Sequence, residues 1–292
     1  TEVLSVSKRI LITGAAGYIG SLLGSRLAED FFVIGTDLRE RTDLPFPVRA
    51  LDVRDSGLKA LLEENAITHV VHLASVLDAG ADPARDYDID VNGTRNVLGC
   101  CLAAGVRHII VTSSGAAYGY HADNPEWIDE GAPLRGNATF AYADHKRRVE
   151  EMLADYRRRH PELAQLVFRP GTVLGAHTDN LITNLFKAKR MLAVRGSDSP
   201  FVFIWDEDVV RAMELGIRES RSGIYNMAGD GALTIHQLAA ILGKPVRTLP
   251  AWLIQAALWV ARRRGIGRYG PEQVDFLRYR PVLSNRRLKE EF

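Results

Sequence analysis

The segment Ile10-Leu-Ile-Thr-Gly-Ala-Ala-Gly-Tyr-Ile-Gly20 restricts the fold more than any other stretch of this chain. An apolar, β-branched run stops at Gly14, and a helix-compatible sequence starts within a few residues. A sharp strand-to-helix turn favours glycine at the first position, because only glycine adopts every backbone conformation cheaply. Gly17 lets the backbone approach a bound pyrophosphate, and Gly20 lets the new helix lie close to the strand. The helix start also offers unpaired N–H groups and a positive dipole end to phosphate oxygens. Glycine spacing alone is a weak signal, since turns collect glycine for conformational reasons. The residues that follow strengthen it.

A second strand-like run, Phe32–Thr36, leads to Asp37, 17 positions beyond Gly20. In a dinucleotide-binding βαβ unit an acidic residue near that distance takes the adenosine ribose hydroxyls. Its charge repels a 2′-phosphate, so the expected cofactor is NAD and not NADP. Arg39 and Arg41 lie just beyond, where they could receive such a phosphate, but they read as solvated loop residues.

Further short apolar runs at His69–Leu73, His108–Ser113 and Gln165–Arg169 alternate with helical patterns near Ile19–Glu29, Leu58–Glu64, Asp88–Ala104 and Tyr142–His160. Nearly all-apolar strands separated by helices indicate a parallel sheet covered on both faces. The last third reads as a strand Phe201–Trp205, a helix Asp208–Glu219, a strand Gly223–Met227 and a helix Thr234–Leu242. The expected fold is α/β, a Rossmann-type doubly wound parallel sheet with a smaller C-terminal substrate-binding domain. Residues 1–175, with roughly 201–229, would form the NAD-binding part, and 176–200 with 230–292 the small domain. A chain of 292 residues is long enough for this arrangement.

Thirty-seven basic and 36 acidic residues nearly cancel, which gives no electrostatic case for nucleic acid. Cys100 and Cys101 are adjacent and the only cysteines. They read as small apolar helix residues, cannot staple distant elements, and suit a reducing, cytoplasmic setting. The run Ile10–Ile12 passes at once into the glycine turn, so no secretory signal is expected. No stretch reaches the roughly 18 to 20 apolar residues of a membrane span, and no membrane association is expected. The eight histidines lack ligand spacing, so no metal is expected. His145 reads as lying on the outer face of its helix, and His121 and His177 as loop residues near the presumed cleft.

Tyr142 and Lys146 are four apart and so share one helix face. Such pairs are common on solvated helices. Ser113-Ser114 at a strand end upstream, where α/β ligand crevices open, raises the weight of a functional reading.

Taken together, these motifs resemble the extended short-chain dehydrogenase/reductase family, NAD-dependent epimerase/dehydratase-like. Gly14, Gly17 and Gly20 have its glycine spacing. Leu51-Asp52-Val53 resembles its adenine-contacting turn, and His72-Leu73-Ala74-Ser75 its strand end beneath the nicotinamide ribose and pyrophosphate. Asp90-Val91-Asn92-Gly93-Thr94-Arg95-Asn96 is similar to its fourth-helix signature. Ser113–Gly119 resembles its catalytic serine strand and Tyr142–Lys146 its Tyr-x-x-x-Lys helix. Arg169–Gly175, Ile204–Ala212 and Pro281–Lys289 match in order, so the resemblance spans nearly the whole chain. It implies cofactor contacts from Gly14, Gly17, Tyr18, Ile19, Gly20, Asp37, Leu38, Asp52, Val53, Leu73, Ala74, Ser75, Asn92, Thr112, Tyr142, Lys146, Pro170 and Val173. It implies catalysis by Ser114, Tyr142 and Lys146, with Ser114, Tyr118 and Asn180 touching substrate. Tyr118 reads equally well as a buried aromatic.

The implied chemistry is oxidation of a secondary alcohol, nucleotide-sugar epimerase/dehydrogenase-like, with Tyr142 as general base. A free tyrosine ionises near 10, so action near neutrality needs a drop of ~3 units, about 4 kcal/mol. A nearby lysine ammonium and the positive nicotinamide ring could supply that in a partly dry cleft. Lys146 would also hold the nicotinamide ribose, and Ser114 would hydrogen-bond the substrate oxygen. Two other readings stay open. One is a dehydrogenase of hydroxysteroids or other lipophilic alcohols. The other is a non-catalytic NAD-binding sensor or assembly protein. A homodimer fits any of them.

Some positions depart from the family pattern. Gly115 and Ala116 stand where dehydratases carry an Asp-Glu pair, which argues against elimination of water. Pro200–Phe203 lacks the diphosphate-gripping arginine of the epimerases, and Thr172 replaces a common asparagine. The run Ala251–Ala261, followed by Arg262-Arg263-Arg264, reads first as a helix packed on the small domain. A lid or membrane-surface helix is the alternative. Arg157-Arg158-Arg159 reads as a solvated helix end.

Overall fold

The computed structural model describes residues 7–76, 82–178, 181–266 and 270–292. The chain runs β1 (Arg9–Thr13), α1 (Tyr18–Leu27), β2 (Phe32–Asp37), β3 (Val48–Ala50), α2 (Gly57–Glu64) and β4 (His69–His72). Next come α3 (Pro83–Tyr87), a short π-helix (Asp88–Asn92), α4 (Gly93–Ala103), β5 (His108–Thr112), a 3-10 turn (Gly115–Tyr118) and α5 (Ala141–Arg159). Then follow β6 (Ala164–Pro170), β7 (Thr172–Leu174), α6 (Leu181–Lys187), β8 (Met191–Val194) and β9 (Phe203–Trp205). The last part holds α7 (Asp206–Arg218), β10 (Gly223–Met227), α8 (Ile235–Ile241), β11 (Val246–Leu249), α9 (Ala251–Arg263), α10 (Val274–Arg278) and α11 (Arg286–Glu291).

Seven strands form one sheet in the order β10-β6-β5-β4-β1-β2-β3. β1 pairs in parallel with β2 and β4, and the pairs β2–β3, β4–β5 and β5–β6 are parallel too. The order reverses between β1 and β4, which makes their C-terminal ends the switch point where open α/β sheets take ligands. This is the expected Rossmann-type fold. Its cause is visible strand by strand. β1, β4 and β5 are buried on both faces because helices cover both, and their apolar residues Ile10, Leu11, Ile12, Val70, Val71, Ile109 and Ile110 are fully buried. α2 meets the sheet through Leu58, Leu61 and Leu62, and α4 through Val97, Leu98 and Cys101, each at helical spacing.

The chain divides into two compact units: residues 1–113, 148–168 and 206–224 in the first, and 114–147, 169–205 and 225–292 in the second. The second holds two small parallel pairs, β7–β9 and β8–β11. Its apolar clusters include Met191, Phe201, Ile235 and Leu238; Val194, Ile254 and Val274; and Tyr118, Ile128, Val202 and Leu283. α8 opens with a reciprocal cap between Thr234 and Gln237, which satisfies two of the N–H groups a helix start leaves over. The β8–β11 pair has no counterpart in the sequence reading, because Val-Arg-Thr-Leu is not a continuous apolar run and its partner strand lies 55 residues away. Among the described residues no helix is long and apolar enough to cross a membrane.

One further expectation needs correction. His145 is buried, not outward-facing, because α5 is covered on that side as well as along Ala143 and Lys146. α9 packs on the second unit's apolar cluster through Ile254, the one residue of the helix that is buried.

His69 and His108 lie side by side on β4 and β5, ring centroids 5.2 Å apart. Burial, reinforced by His108, Lys8 and Arg107, pulls the His69 imidazole down to about 3 from 6.5. Burial lowers His108 as well. The unfolded chain takes up these protons near pH 6.5 while the folded chain refuses them until far lower, so stability held above pH 6.5 is lost as the pH falls toward 3. Scanning calorimetry should show the melting temperature declining across that window, with a shallower slope for His69→Gln. An unchanged slope would mean that other groups set the acid limit.

Candidate active site

The first unit carries a cradle at the switch point. Gly14 sits at φ +70°, and a Cβ there would lie 2.8 Å from the backbone nitrogen of Ala74. A Cβ on Gly20 would lie 2.3 Å from the Gly14 carbonyl oxygen. The turn is therefore compressed between the ends of β1 and β4, and α1 begins at Tyr18 directly behind it. Gly17 is the N-cap and carries no capping side chain, which leaves the helix N–H groups to a ligand. Tyr18 fixes α1 by donating its hydroxyl hydrogen bond to Asp206 at the start of α7. Ile19 follows it into the first turn.

Asp37 ends β2, and its two oxygens accept the N–H groups of Ala16 (3.0 Å) and Leu38 (2.8 Å). That pins the carboxylate beside the glycine turn. Arg41 is ion-paired with Asp43 and donates to the Ala16 carbonyl at 3.3 Å. Its charge is already engaged, which fits a diol at this position better than a 2′-phosphate. Asp52 is clasped by Arg54, whose guanidinium and backbone N–H hold the carboxylate below its ordinary range. Asn96 donates to the carbonyl of buried Val53 at 2.8 Å, so the fourth-helix signature holds the turn after β3 in place.

The end of β4 is tied by buried hydrogen bonds. His72 lies between the hydroxyls of Thr13 (2.8 Å) and Thr94 (3.0 Å). Leu73 and Ala74 donate backbone N–H bonds to the Thr13 hydroxyl. Ser75 and the Val76 N–H both donate to one oxygen of buried Asp90. Asp90 and Asn92 lie in the π-helix, an irregularity that proteins place preferentially at functional sites. Asn92 donates to Asp88 and accepts from Arg95. These residues fit a dinucleotide: a backbone cradle that any Cβ would fill, a helix start without a cap, and a fixed carboxylate at the second strand end.

Ser113, the last residue of the first unit's opening segment, is spent: its hydroxyl donates to buried Glu150 at 2.6 Å. The second unit carries Ser114, Tyr142 and Lys146. Ser114 lies in extended backbone, and its Oγ accepts the Ala116 N–H at 3.1 Å, capping the 3-10 turn. Tyr142 and Lys146 stand one turn apart on α5, the ammonium 5.6 Å from the phenol ring centroid. Lys146 is 7% exposed, so little water screens its charge. Thr112 ends β5, Pro170 ends β6, and Val173 pairs with Ile204 across β7 and β9.

Tyr118 is 1% exposed, with its hydroxyl donating to Asn226 (2.7 Å) and accepting from Arg169 (2.7 Å). That is the buried-aromatic alternative. Asn180 lies outside the described residues.

Sequence reasoning missed a cluster beside Tyr142. Phe140 is 6.4 Å from Tyr142 between ring centroids, Tyr120 is 5.5 Å from Phe140, and Phe276 packs on both Tyr120 and Phe140. Arg280 adjoins this cluster over Phe276, with its guanidinium carbon 3.7 Å from the Phe201 ring centroid. Its Nη1 donates to the Ser199 carbonyl at 2.9 Å, and its buried Nε has no partner among the described residues. Burial pulls the guanidinium down to about 9. Arg280 directly precedes the Pro281–Lys289 motif, and that was the only signal in the sequence.

The family model described as the NAD dependent epimerase/dehydratase family matches residues 10–228. The chain belongs to that family. Members of this family are NAD-dependent enzymes of the extended short-chain dehydrogenase type, and this chain has their fold. It is similar to the crystal structure of the Thermus thermophilus UDP-glucose 4-epimerase in complex with NAD. The TM-score is 0.74 at 26% identity, over 96% of this chain and 92% of that one. It is also similar to the N-acetyl-alpha-D-glucosaminyl-diphospho-ditrans,octacis-undecaprenol 4-epimerase of Escherichia coli O157:H7, 27% identical over 80% of this chain and 71% of that protein. The UDP-glucose 4-epimerase of Neisseria meningitidis serogroup A is 32% identical over 60% of this chain and 56% of that protein.

Proposed function

We propose that this protein oxidises a secondary alcohol of a diphosphate-linked sugar with NAD, as the first half of an epimerisation or as a net dehydrogenation. The observation that carries the reading is the buried Lys146 ammonium 5.6 Å from the Tyr142 ring. A cation held in a low-dielectric setting steadies negative charge on a neighbouring oxygen. Tyr142 then takes the proton of the substrate hydroxyl onto its own oxygen. The Ser114 hydroxyl donates to the same substrate oxygen and strengthens its hold as negative charge grows there. NAD, when bound, supplies the hydride acceptor; Gly14, Gly17, Asp37 and Lys146 would hold it. Gly115 and Ala116 offer no acid or base beside Ser114, which supports alcohol oxidation over elimination.

Arg280 supports a diphosphate. An arginine whose buried Nε has no partner, and whose guanidinium has no carboxylate contact, among the described residues suits an anionic oxygen, and it would stand in for the cation missing from Pro200–Phe203. The test is turnover on UDP-glucose, UDP-N-acetylglucosamine, free sugars and a sterol panel, following NAD reduction and the sugar product. Arg280→Met should raise KM for the diphosphate-linked sugar by roughly tenfold or more, with Arg280→Lys recovering part of it. Turnover of sterols or free sugars alone would overturn the substrate class. NAD binding with no turnover of any alcohol would favour the non-catalytic sensor.

A further inference from the structure

α9 is apolar on the side that the protein leaves uncovered. On a helix of 3.6 residues per turn, Trp252, Leu253, Ala256, Ala257, Trp259 and Val260 share an arc of about 160°. Every one of them is exposed, Trp252 at 67% and Trp259 at 49%. The opposite side packs Ala251, Ile254 and Leu258 against Val194, Val274 and Leu277. The polar residues Gln255 and Arg262 lie along its flank, and Arg262 is paired with Glu272 at 3.1 Å. Thus the arc that faces outward holds no polar residue until Arg263 and Arg264, and Ile266 just beyond is 76% exposed. A helix apolar all round belongs in a core or at an apolar phase. This one has a core on one side only.

Charge identifies the other side. Between Asp230 and Glu272 the chain has no acidic residue, yet it carries Lys244, Arg247, Arg262, Arg263, Arg264 and Arg268. In a chain of net charge +1 this is a local excess of one sign. Arg263 stacks over the Trp259 ring at 4.4 Å, with its charged head at the apolar arc's edge. Exposed tryptophans bordered by arginines are the composition of a helix lying in the headgroup layer, the rings reaching the acyl boundary and the guanidinium groups meeting phosphate.

We infer that α9 docks this protein on the surface of a bilayer containing anionic phospholipid, lying in the interface without crossing it. The inference is independent of the substrate.

The experiment is cosedimentation of the full chain with vesicles of phosphatidylcholine alone and of phosphatidylcholine with phosphatidylglycerol. Brominated acyl chains would serve as quenchers of Trp252 and Trp259. Wild-type protein should bind the anionic vesicles, lose binding in high salt, and show quenched tryptophan emission. Arg263→Glu with Arg264→Glu should weaken binding roughly twentyfold or more, and Trp252→Ser with Trp259→Ser should abolish quenching. Thermal melts with and without NAD verify that these surface variants fold. No binding to anionic vesicles, or binding untouched by both variants, would overturn the inference. So would sedimentation velocity showing wild type as a dimer that the tryptophan variant breaks while vesicles bind neither, because the arc would then belong to a second copy of this chain.

Discussion

Tyr142→Phe should lower turnover by 10²- to 10⁴-fold while leaving NAD binding in place, roughly the range expected when one general acid–base group is deleted. The change removes a single hydroxyl from a half-buried ring, and the Phe140 contact at 6.4 Å survives it. Lys146→Ala should differ in kind. In the proposed mechanism Lys146 would serve both the Tyr142 hydroxyl and the cofactor, so kcat should fall and the Kd for NAD should rise together. Ser114→Ala should lower kcat more than it raises KM, since its hydrogen bond strengthens as charge develops. Steady-state kinetics with calorimetric NAD titration separates the three patterns. A folded Tyr142→Phe protein with wild-type turnover would remove Tyr142 from the mechanism.

Gly20→Ala should damage NAD binding and the fold together. Its Cβ would meet the Gly14 oxygen at 2.3 Å and the Ala15 Cα at 2.9 Å. Both are backbone atoms of the turn itself, so no side chain can swing aside, and α1 must move away from β1. Overpacking of this sort typically costs about 1–3 kcal/mol, which corresponds to a rise in Kd of up to ~100-fold if the strain falls on the bound state. The control is Gly99→Ala in α4, where an added Cβ meets nothing within 4 Å. That change should be neutral or should stabilise by about 0.5–1 kcal/mol, because alanine loses less entropy than glycine in a helix. NAD titration and melts on both proteins check the pair. Equal behaviour would show that the turn tolerates expansion.

The parts of the site that could be read in sequence are those whose chemistry is local. The glycine turn, Asp37 at a strand end and the Tyr142/Lys146 spacing each lie within one βαβ unit or one helix turn, so their geometry follows from period and rise. The parts that could not be read depend on residues far apart. Phe276 and Arg280 join Tyr120 and Phe140 from a distant stretch of chain, and no periodicity links them. Tyr118 could be a ligand contact or a core residue until Asn226 and Arg169 were found on its hydroxyl.

The same division runs through the fold. The apolar, double-sided strands β1, β4 and β5 and the spacing of their helices determine a parallel sheet, because backbone hydrogen bonding and two-faced burial leave few other solutions. Composition likewise made α9 an apolar helix with a basic end. Whether its second face met a core depended on what else packs there, and the tertiary structure answered that: the neighbours Val194, Val274 and Leu277 cover one side and the tryptophans stay outside. Residue order determines which surfaces a helix must bury, whereas only the arrangement of distant elements decides which of them the chain itself can cover.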